Sequence, residues 1–441
     1  MPESPEAEAA VLGSMILDRE CIGDVVVTLS AESFYRPEHR MIFEAVVQLY
    51  EANSAIDLVT LRDQLKKRNE LDSAGGVEYL VRVAEAVPSA ASVEYYATIV
   101  RDKAMLRQLA QVAGEILQAA YSQTGEVSET LDTAEQKVFA VTEQKISGAA
   151  VPLRNLLTET FEHIESRKEM HITGLETQFY ELDEMLCGLQ KGEMIIIAGR
   201  PSMGKTSFAL NIAENIGANS RTPQPVVVFS LEMGRHQLVE RILCSQARID
   251  SQLVRKGLLS SEQYAELTRA GSELYDKPIF IDDTAGMTPL EIRAKCRRLK
   301  SQHNIQGVFI DYLQLMSLSG RVESRQQEIS TISRQLKALA RELSVPVVVL
   351  SQLNRSPEER EGHRPRMSDL RESGSLEQDA DVVLLLHRED YYHRGESEWD
   401  ESHVAEVIVA KQRNGPTGVV QLTFNEKITR FENLSHATEA G

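Results

Sequence analysis

The chain has 441 residues, 42% hydrophobic and 26% charged, as in an ordinary globular protein long enough for two or more cores. Its 48 Lys and Arg face 66 Asp and Glu, a formal net charge of −18, which argues against a surface coated by nucleic acid or lying on anionic lipid and leaves room for a local basic path. Four scattered cysteines, Cys21, Cys187, Cys244 and Cys296, form no CxxC pair; a disulfide framework and a zinc site are disfavoured and a reducing cytoplasm is expected.

The start, MPESPEAEAA, is acidic and lacks an apolar signal core. The longest apolar runs are far too short to span a bilayer, so no membrane partner is expected. In EAEAAVLGSMIL, Val11, Leu12, Met15 and Ile16 recur at helical spacing, with Glu6 and Glu8 in the first turn. Further helices are expected through MIFEAVVQLY, from near Asp57, from Ser92 to about Tyr121, and from Ser128 to about Lys145. The last two, joined by SQTGE, suggest an antiparallel hairpin. Residues 1–146 therefore read as an all-α N-terminal domain.

The pattern breaks in ISGAAVP, a linker. A short amphipathic helix follows, with Leu153, Leu156, Leu157, Phe161 and Ile164 in one stripe. That stripe packs on its own chain or docks on a neighbouring subunit. Residues 147–172 are assigned to this linker and docking helix.

From Gly192 the texture changes. Short β-branched runs appear at 194–198, 226–230, 279–282, 308–311, 345–351, 382–386 and 404–410, separated by amphipathic helices or polar loops. Alternating strand and helix predicts an α/β domain, residues 173–441, with a mostly parallel sheet covered on both faces. VVQLTF and TRFEN read as a closing hairpin.

Gly199-Arg200-Pro201-Ser202-Met203-Gly204-Lys205-Thr206 matches GxxxxGK[ST] between an apolar run and the helix TSFALNIAENI. That is the setting of a P-loop NTPase. Glycines let backbone N–H groups wrap phosphates at a helix N-terminus. Gly199, Ser202, Gly204, Lys205, Thr206 and Ser207 are expected to hold ATP or another NTP, with Lys205 on the β/γ oxygens. Thr206 and Asp311, the acid ending VFID, are expected to serve Mg²⁺. Glu232 follows VVVFSL as a candidate base or water-positioner, and Gln352 follows VPVVVLS as a neutral γ-phosphate sensor. Taken alone, each reads rather as a solvated strand-end residue; their convergence on the carboxyl edge of one parallel sheet reverses that and favours the site.

These strand-end residues resemble the RecA-like core. The segments AGRPSMGKTSFALNIA, VFSLEM, FIDYLQLM, LRESGSLEQDADVV and AKQRNGPTG, with N-terminal EAEAAVLGSMILD and GGVEYL, resemble bacterial replicative DNA helicases of the DnaB type over nearly the whole chain. The resemblance implies a homohexameric ring that moves 5′ to 3′ on single-stranded DNA, opens forked DNA and meets primase and a helicase loader. It implies catalytic roles for Lys205, Glu232 and Gln352, and a phosphate-facing role for Arg241. Lys411 and Arg413 in KQRNG match a basic pair that reaches the neighbouring subunit's nucleotide; without the resemblance they read as a solvated strand end. Where the family often has a glycine, this chain has Gln178 before Phe179, which puts the local turn in question.

The resemblance also assigns DNA contact to Arg371, Glu372 and Gly374 in the acidic stretch DLRESGSLEQDAD. There Ser373-Gly374-Ser375 is expected to turn tightly and present backbone N–H groups to phosphate, while Glu377, Asp379 and Asp381 serve structure. The basic run RAKCRRLK reads as a helix with an exposed basic face. A RecA-like recombinase fits the core but not the N-terminal half; an NTP-gated replication scaffold is disfavoured by the intact catalytic set.

Overall fold

The computed structural model describes residues 1–122, 172–219, 222–318, 324–393 and 402–434, with isolated helical positions between 130 and 165; at 359 and 371–373 it describes the backbone only. Backbone contacts divide the chain into two units, Met1–Leu156 and Leu157–Gly441.

In the first unit, six helices are described: α1 (Pro5–Leu17), α2 (Ile22–Thr28), α3 (Pro37–Glu51), α4 (Leu58–Lys67), α5 (Gly76–Ala84) and α6 (Val93–Ser122). Proline in the first turn starts α1 and α3. Asp57 caps α4 by accepting from the Val59 and Thr60 N–H groups. Val11, Leu12 and Met15 pack with Ile42, Val46, Leu61, Leu80 and Val100 in one core. A Cβ on Gly13 would fall 2.5 Å from the Val83 carbonyl oxygen, so only glycine lets α1 approach α5 this closely. A polar chain crosses this core: the Glu8 carboxylate accepts from the Tyr35 N–H at 2.6 Å and bonds His39 Nδ1 at 2.7 Å, and His39 Nε2 meets the Tyr79 hydroxyl at 2.8 Å. The helix expected over 128–145 and the linker at 146–152 fall mostly or wholly outside the described residues. Of the amphipathic stripe, Leu153, Leu157 and Phe161 are described and exposed.

The second unit holds one nine-stranded sheet in the order β3-β2-β4-β5-β1-β6-β7-β8-β9. Its strands are β1 (Met194–Gly199), β2 (Val226–Ser230), β3 (Ile279–Asp282), β4 (Gly307–Asp311), β5 (Val347–Gln352), β6 (Val382–His387), β7 (Val404–Gln412), β8 (Gly418–Asn425) and β9 (Arg430–Asn433). The first six in spatial order are parallel and the last three antiparallel. The helices are α7 (Tyr180–Leu186), α8 (Lys205–Gly217), α9 (Arg235–Ala247), α10 (Ser251–Lys256), α11 (Ser261–Leu274), α12 (Pro289–His303), α13 (Arg325–Leu343) and α14 (Gly374–Asp379).

Strand alternation divides the apolar residues between two cores. Ile195 and Ile197 face one with Phe208 and Ile212 of α8, while Met194, Ile196 and Ala198 face the other with Ile332 and Leu336 of α13. Each fully buried Ile or Leu contributes about 1.5–3 kcal/mol, which fixes the central strands rigidly beneath the loops they carry.

Three local expectations are refined. Gln178 adopts φ 64°, the left-handed conformation that glycine favours. The Asp183 carboxylate holds it there by accepting from the Thr177 and Gln178 N–H groups at 2.9 and 2.8 Å. RAKCRRLK is a helix with Arg297 and Arg298 exposed, and part of its charge is engaged within the fold: Arg293 and Arg297 share Glu342, and Lys295 pairs with Asp282. Ser373-Gly374-Ser375 makes no sharp turn. A 3-10 segment, Met367–Ser373, kinked at Leu370, continues without a break into α14, and Gly374 has φ −53°. Asp379 is structural as expected, its Oδ2 accepting from the Ser333 hydroxyl at 2.6 Å. Among the described residues no helix is long and apolar enough to cross a membrane.

Candidate active site

The phosphate loop leaves the end of β1 and enters α8. Met203 is buried beneath it, while Ser202 and Gly204 take φ 65° and 96°. A Cβ on Gly204 would meet the Phe431 ring at 3.0 Å. A serine held in the left-handed region is a strained conformation of the kind found at ligand-gripping loops. The loop curls over the N-terminus of α8, where unpaired N–H groups and the helix dipole favour an anion. Lys205 Nζ donates to the Gly199 and Arg200 carbonyls at 2.9 and 3.0 Å. Burial lowers its ammonium to a pKa of about 8, against the pull of Asp311 and Glu232. Arg200 ties the loop to the segment after β5, donating to Leu353 O at 2.9 Å and pairing with Glu358 at 2.6 Å.

Parallel pairing brings the strand ends together. Ser230 lies beside Asp311, and Gly199 beside Gln352. Asp311 is buried, and burial raises its carboxyl above the usual range while the Thr206 hydroxyl's hydrogen bond opposes this. One of its carboxylate oxygens is buried without a hydrogen-bond partner. A hydroxyl beside an unsatisfied carboxylate oxygen is a hard-oxygen donor set that fits Mg²⁺. Among the described residues no cluster of three or more His, Cys, Asp or Glu could hold a metal alone, so phosphate and water oxygens would have to complete such a shell.

Glu232 sits just past β2 in a loop held by Ser230, whose hydroxyl donates to Met233 O at 2.7 Å. Its carboxylate is close enough to raise the pKa of Asp311. Arg241, from α9, also faces Asp311. Ser202, Gly204, Lys205, Thr206, Ser207, Glu232, Arg241, Asp311 and Gln352 line one cleft of about 530 Å³.

The same cleft contains residues the sequence reading missed. Arg388 follows β6; its Nη1 lies 3.4 Å from Ser202 O, its guanidinium sits 4.3 Å over the Phe424 ring, and it pairs with Glu426. Phe424, Glu426 and Thr429 bring the closing hairpin into the wall. Gln314, beyond Asp311, donates to the Ser351 hydroxyl at 2.9 Å and steadies the end of β5. Arg388 carried a usable signal, since it follows the apolar run VVLLL as Glu232, Asp311 and Gln352 follow theirs.

Lys411 and Arg413 are not in this cleft. Gln412 pairs with Val382 at the start of β6, and Val382 pairs with Ile195 at the start of β1. The pair therefore stands at the edge opposite the phosphate loop. Lys411 Nζ donates to the Glu377, Ala380 and Gln378 carbonyls at 2.5, 2.8 and 3.4 Å, and Arg413 Nη2 to the Gln378 carbonyl at 2.7 Å. Burial, helped by the adjacent Arg413, lowers the Lys411 ammonium. Gly374 is exposed at the start of α14; the side chains of Arg371 and Glu372 lie outside the described residues.

A parallel sheet with a phosphate loop after its central strand and a buried acid ending a nearby strand defines a RecA-like P-loop NTPase domain. Comparison with known proteins narrows the class. The family model for the DnaB-like helicase C terminal domain matches residues 174–433, and that for the DnaB-like helicase N terminal domain matches residues 1–102. The chain belongs to the DnaB-like helicase family. It is 47% identical to "Replicative DNA helicase DnaB" of Geobacillus stearothermophilus and 45% identical to "Replicative DNA helicase DnaC" of Bacillus subtilis (strain 168), each over 98% of this chain and 95% of the relative. Among solved structures, a DnaB-like replicative helicase described with its interactions with primase matches at TM-score 0.77 and 34% identity, over 98% of this chain and 100% of that one. A second solved structure, of an ATPase domain, matches at TM-score 0.61 and 40% identity, covering 65% of this chain and 100% of its own.

Proposed function

We propose that this protein is a replicative DNA helicase, a homohexameric ring that hydrolyses ATP or another NTP, moves 5′ to 3′ on single-stranded DNA and parts the duplex at a fork. One observation carries the reading beyond family membership. The cleft joins Lys205, Thr206, Glu232, Asp311 and Gln352, while Lys411 and Arg413 stand at the far edge of the sheet. A site so divided is completed by an adjacent copy.

The phosphate loop, with Gly199, Ser202, Gly204 and Ser207, wraps the phosphates through its backbone. Lys205 balances charge on the β/γ oxygens, and Arg241 faces them from the side. Glu232 orients and deprotonates the attacking water. Gln352 hydrogen-bonds the γ-phosphate without adding negative charge. Thr206 and Asp311 would hold Mg²⁺, which when bound neutralises charge on the phosphates. Lys411 and Arg413 of one subunit serve the next subunit's nucleotide, where a trans-acting arginine contributes about 10³-fold or more in rate.

Arg371, Glu372 and Gly374 contact the DNA backbone. Residues 1–146 form the collar that receives primase, a partner with which a related DnaB-like helicase has been described; the stripe over 147–172 docks on a neighbour, leaving 173–441 as the motor. A helicase loader and a cytoplasmic primosome complete the setting. Family membership disfavours a recombinase, and the complete catalytic set disfavours a passive scaffold.

Forked-duplex unwinding tests the proposal. The protein is expected to open forks with a free 5′ tail, to fail on duplexes with only a 3′ tail, and to lose all unwinding as Lys205→Ala. Unwinding that survives Lys205→Ala would reject the site, and preference for the 3′ tail would reject the polarity.

A further inference from the structure

We infer that Asp381 positions Arg413 for the neighbouring subunit's nucleotide, with the residues just before it holding Lys411, an inference that rests on the trans-acting role proposed above. Asp381 precedes β6 with its side chain 7% exposed, and its Oδ1 lies 3.6 Å from Arg413 Nη1. Its Oδ2 accepts from the Met194 N–H at 2.8 Å and pairs with Lys337 of α13. Its own carbonyl accepts from the Arg413 N–H at 2.9 Å. One buried residue thus fixes both the backbone and the guanidinium of Arg413, and is itself anchored to β1 and α13.

The surrounding turn does the same for Lys411. The carbonyls of Glu377, Gln378 and Ala380 take its ammonium, and Gln378 O takes Arg413 Nη2 as well. Two long cations at the sheet edge are therefore held by the end of α14 and the two residues after it, 377–381. The Arg413 side chain is still 42% exposed, so its outer face can meet another molecule. A trans-acting arginine gains from such anchoring because misplacement by about 1 Å costs on the order of 10²-fold in rate. The Met194 and Lys337 contacts alone would give Asp381 a purely structural role; the paired hold on Arg413 goes beyond it.

Asp381→Asn keeps the size and an oxygen for the Met194 N–H while removing the charge that orients Arg413. It is expected to lower kcat for NTP hydrolysis about 10- to 100-fold, with KM and nucleotide Kd within about twofold. Subunit mixing separates positioning from a structural effect. Lys205→Ala subunits keep Lys411, Arg413 and Asp381 but lack the lysine for nucleotide, whereas Asp381→Asn subunits keep the nucleotide cleft. Mixed rings of these two impaired variants are expected to hydrolyse faster than either alone, as are mixed rings of Lys205→Ala with Arg413→Ala.

Recovery with Arg413→Ala but not with Asp381→Asn would overturn the inference and leave the trans reading standing. Failure of the Arg413→Ala mixture would overturn the trans reading itself. Wild-type kcat in Asp381→Asn would also overturn the inference. If that variant fails to fold, the double variant Lys337→Met/Asp381→Asn, which removes both charges of the buried pair, is read by the same mixture and the same outcomes.

Discussion

Lys205 and Arg413 stand at opposite ends of one sheet. Lys205 follows the end of β1, and Arg413 follows Gln412, which is in register with the start of β6. About five strand residues separate the two levels, ~17 Å at 3.3 Å per residue. Arg413 is therefore remote from the cleft of its own chain. Arg413→Ala should leave nucleotide Kd nearly unchanged and lower kcat about 10³-fold. Equilibrium nucleotide binding beside steady-state hydrolysis checks this. Full-rate hydrolysis by isolated monomers would contradict a trans role.

The ammonium of Lys205 carries a pH prediction. Burial brings its pKa down to about 8, so above that pH a growing share is neutral without nucleotide. A bound phosphate favours the charged form. Binding above pH 8 then requires proton uptake, and Kd should rise up to about tenfold per pH unit between pH 8 and 9.5. Titrations across that range measure it, and Lys205→Ala should flatten the profile. A flat wild-type profile would reject proton-linked binding through Lys205.

Arg388 gives a third expectation. Its guanidinium braces the phosphate loop at Ser202 and bridges to the closing hairpin through Glu426 and Phe424. Arg388→Met keeps an apolar stem against the ring and removes the charge. A hydrogen bond to a charged group contributes about 1.5–3 kcal/mol, so nucleotide affinity should fall at least about tenfold. Calorimetric titration with a nonhydrolysable NTP would show this, and an unchanged Kd would confine Arg388 to the hairpin.

What could be read from the sequence follows from which interactions are local. Asp311, Glu232 and Gln352 each follow an apolar run, and the helices between those runs make the strands parallel, so local patterns bring them to one edge. Phe424 and Glu426 reach the cleft through a hairpin more than two hundred residues after the phosphate loop, and no local pattern encodes that return. The hold of Asp381 on Arg413 depends on antiparallel pairing of β6 with β7, including a register shift between Val383 and Leu384. Gln178 looked unsuited to a tight turn because the hydrogen bonds from its turn to Asp183 cannot be seen from composition.

That turn yields a stability prediction. Burial lifts the Asp183 carboxyl to a pKa of about 6, although three hydrogen bonds from Thr177 and Gln178 favour its charged form. A folded pKa above the unfolded value means the folded state holds the proton more tightly. The stabilisation is fully present below about pH 4 and is lost as pH rises through about 6. The stability of wild type minus that of Asp183→Asn should therefore fall by about 2–3 kcal/mol from pH 4 to pH 7. Urea unfolding followed by the fluorescence of Trp399, the single tryptophan, measures the difference. A pH-independent difference would show that Asp183 ionises normally.

The last prediction concerns the acidic stretch DLRESGSLEQDAD. A segment with five acids and one arginine is a poor phosphate binder by charge count. The fold changes that count, because Asp369 is tied to Arg360 and Asp379 to Ser333, while Asp381 is buried against Lys337. Three of the five acids are engaged within the domain, and the backbone of 367–373 enters α14 with Gly374 exposed. Arg371 then supplies a cation whose opposing charges are partly spent. On the proposed reading, a single phosphate contact per subunit would grip weakly enough to release at each step, which suits a motor. Arg371→Ala should weaken single-stranded DNA binding and reduce the slope of log K against log salt by about 0.7 for each phosphate no longer neutralised. Hydrolysis without DNA should stay within about twofold of wild type, because the proposed role of Arg371 is to hold DNA and not nucleotide. Fluorescence anisotropy with labelled oligonucleotides at several salt concentrations makes the measurement. Unaltered affinity and slope would return this segment to being an acidic surface loop.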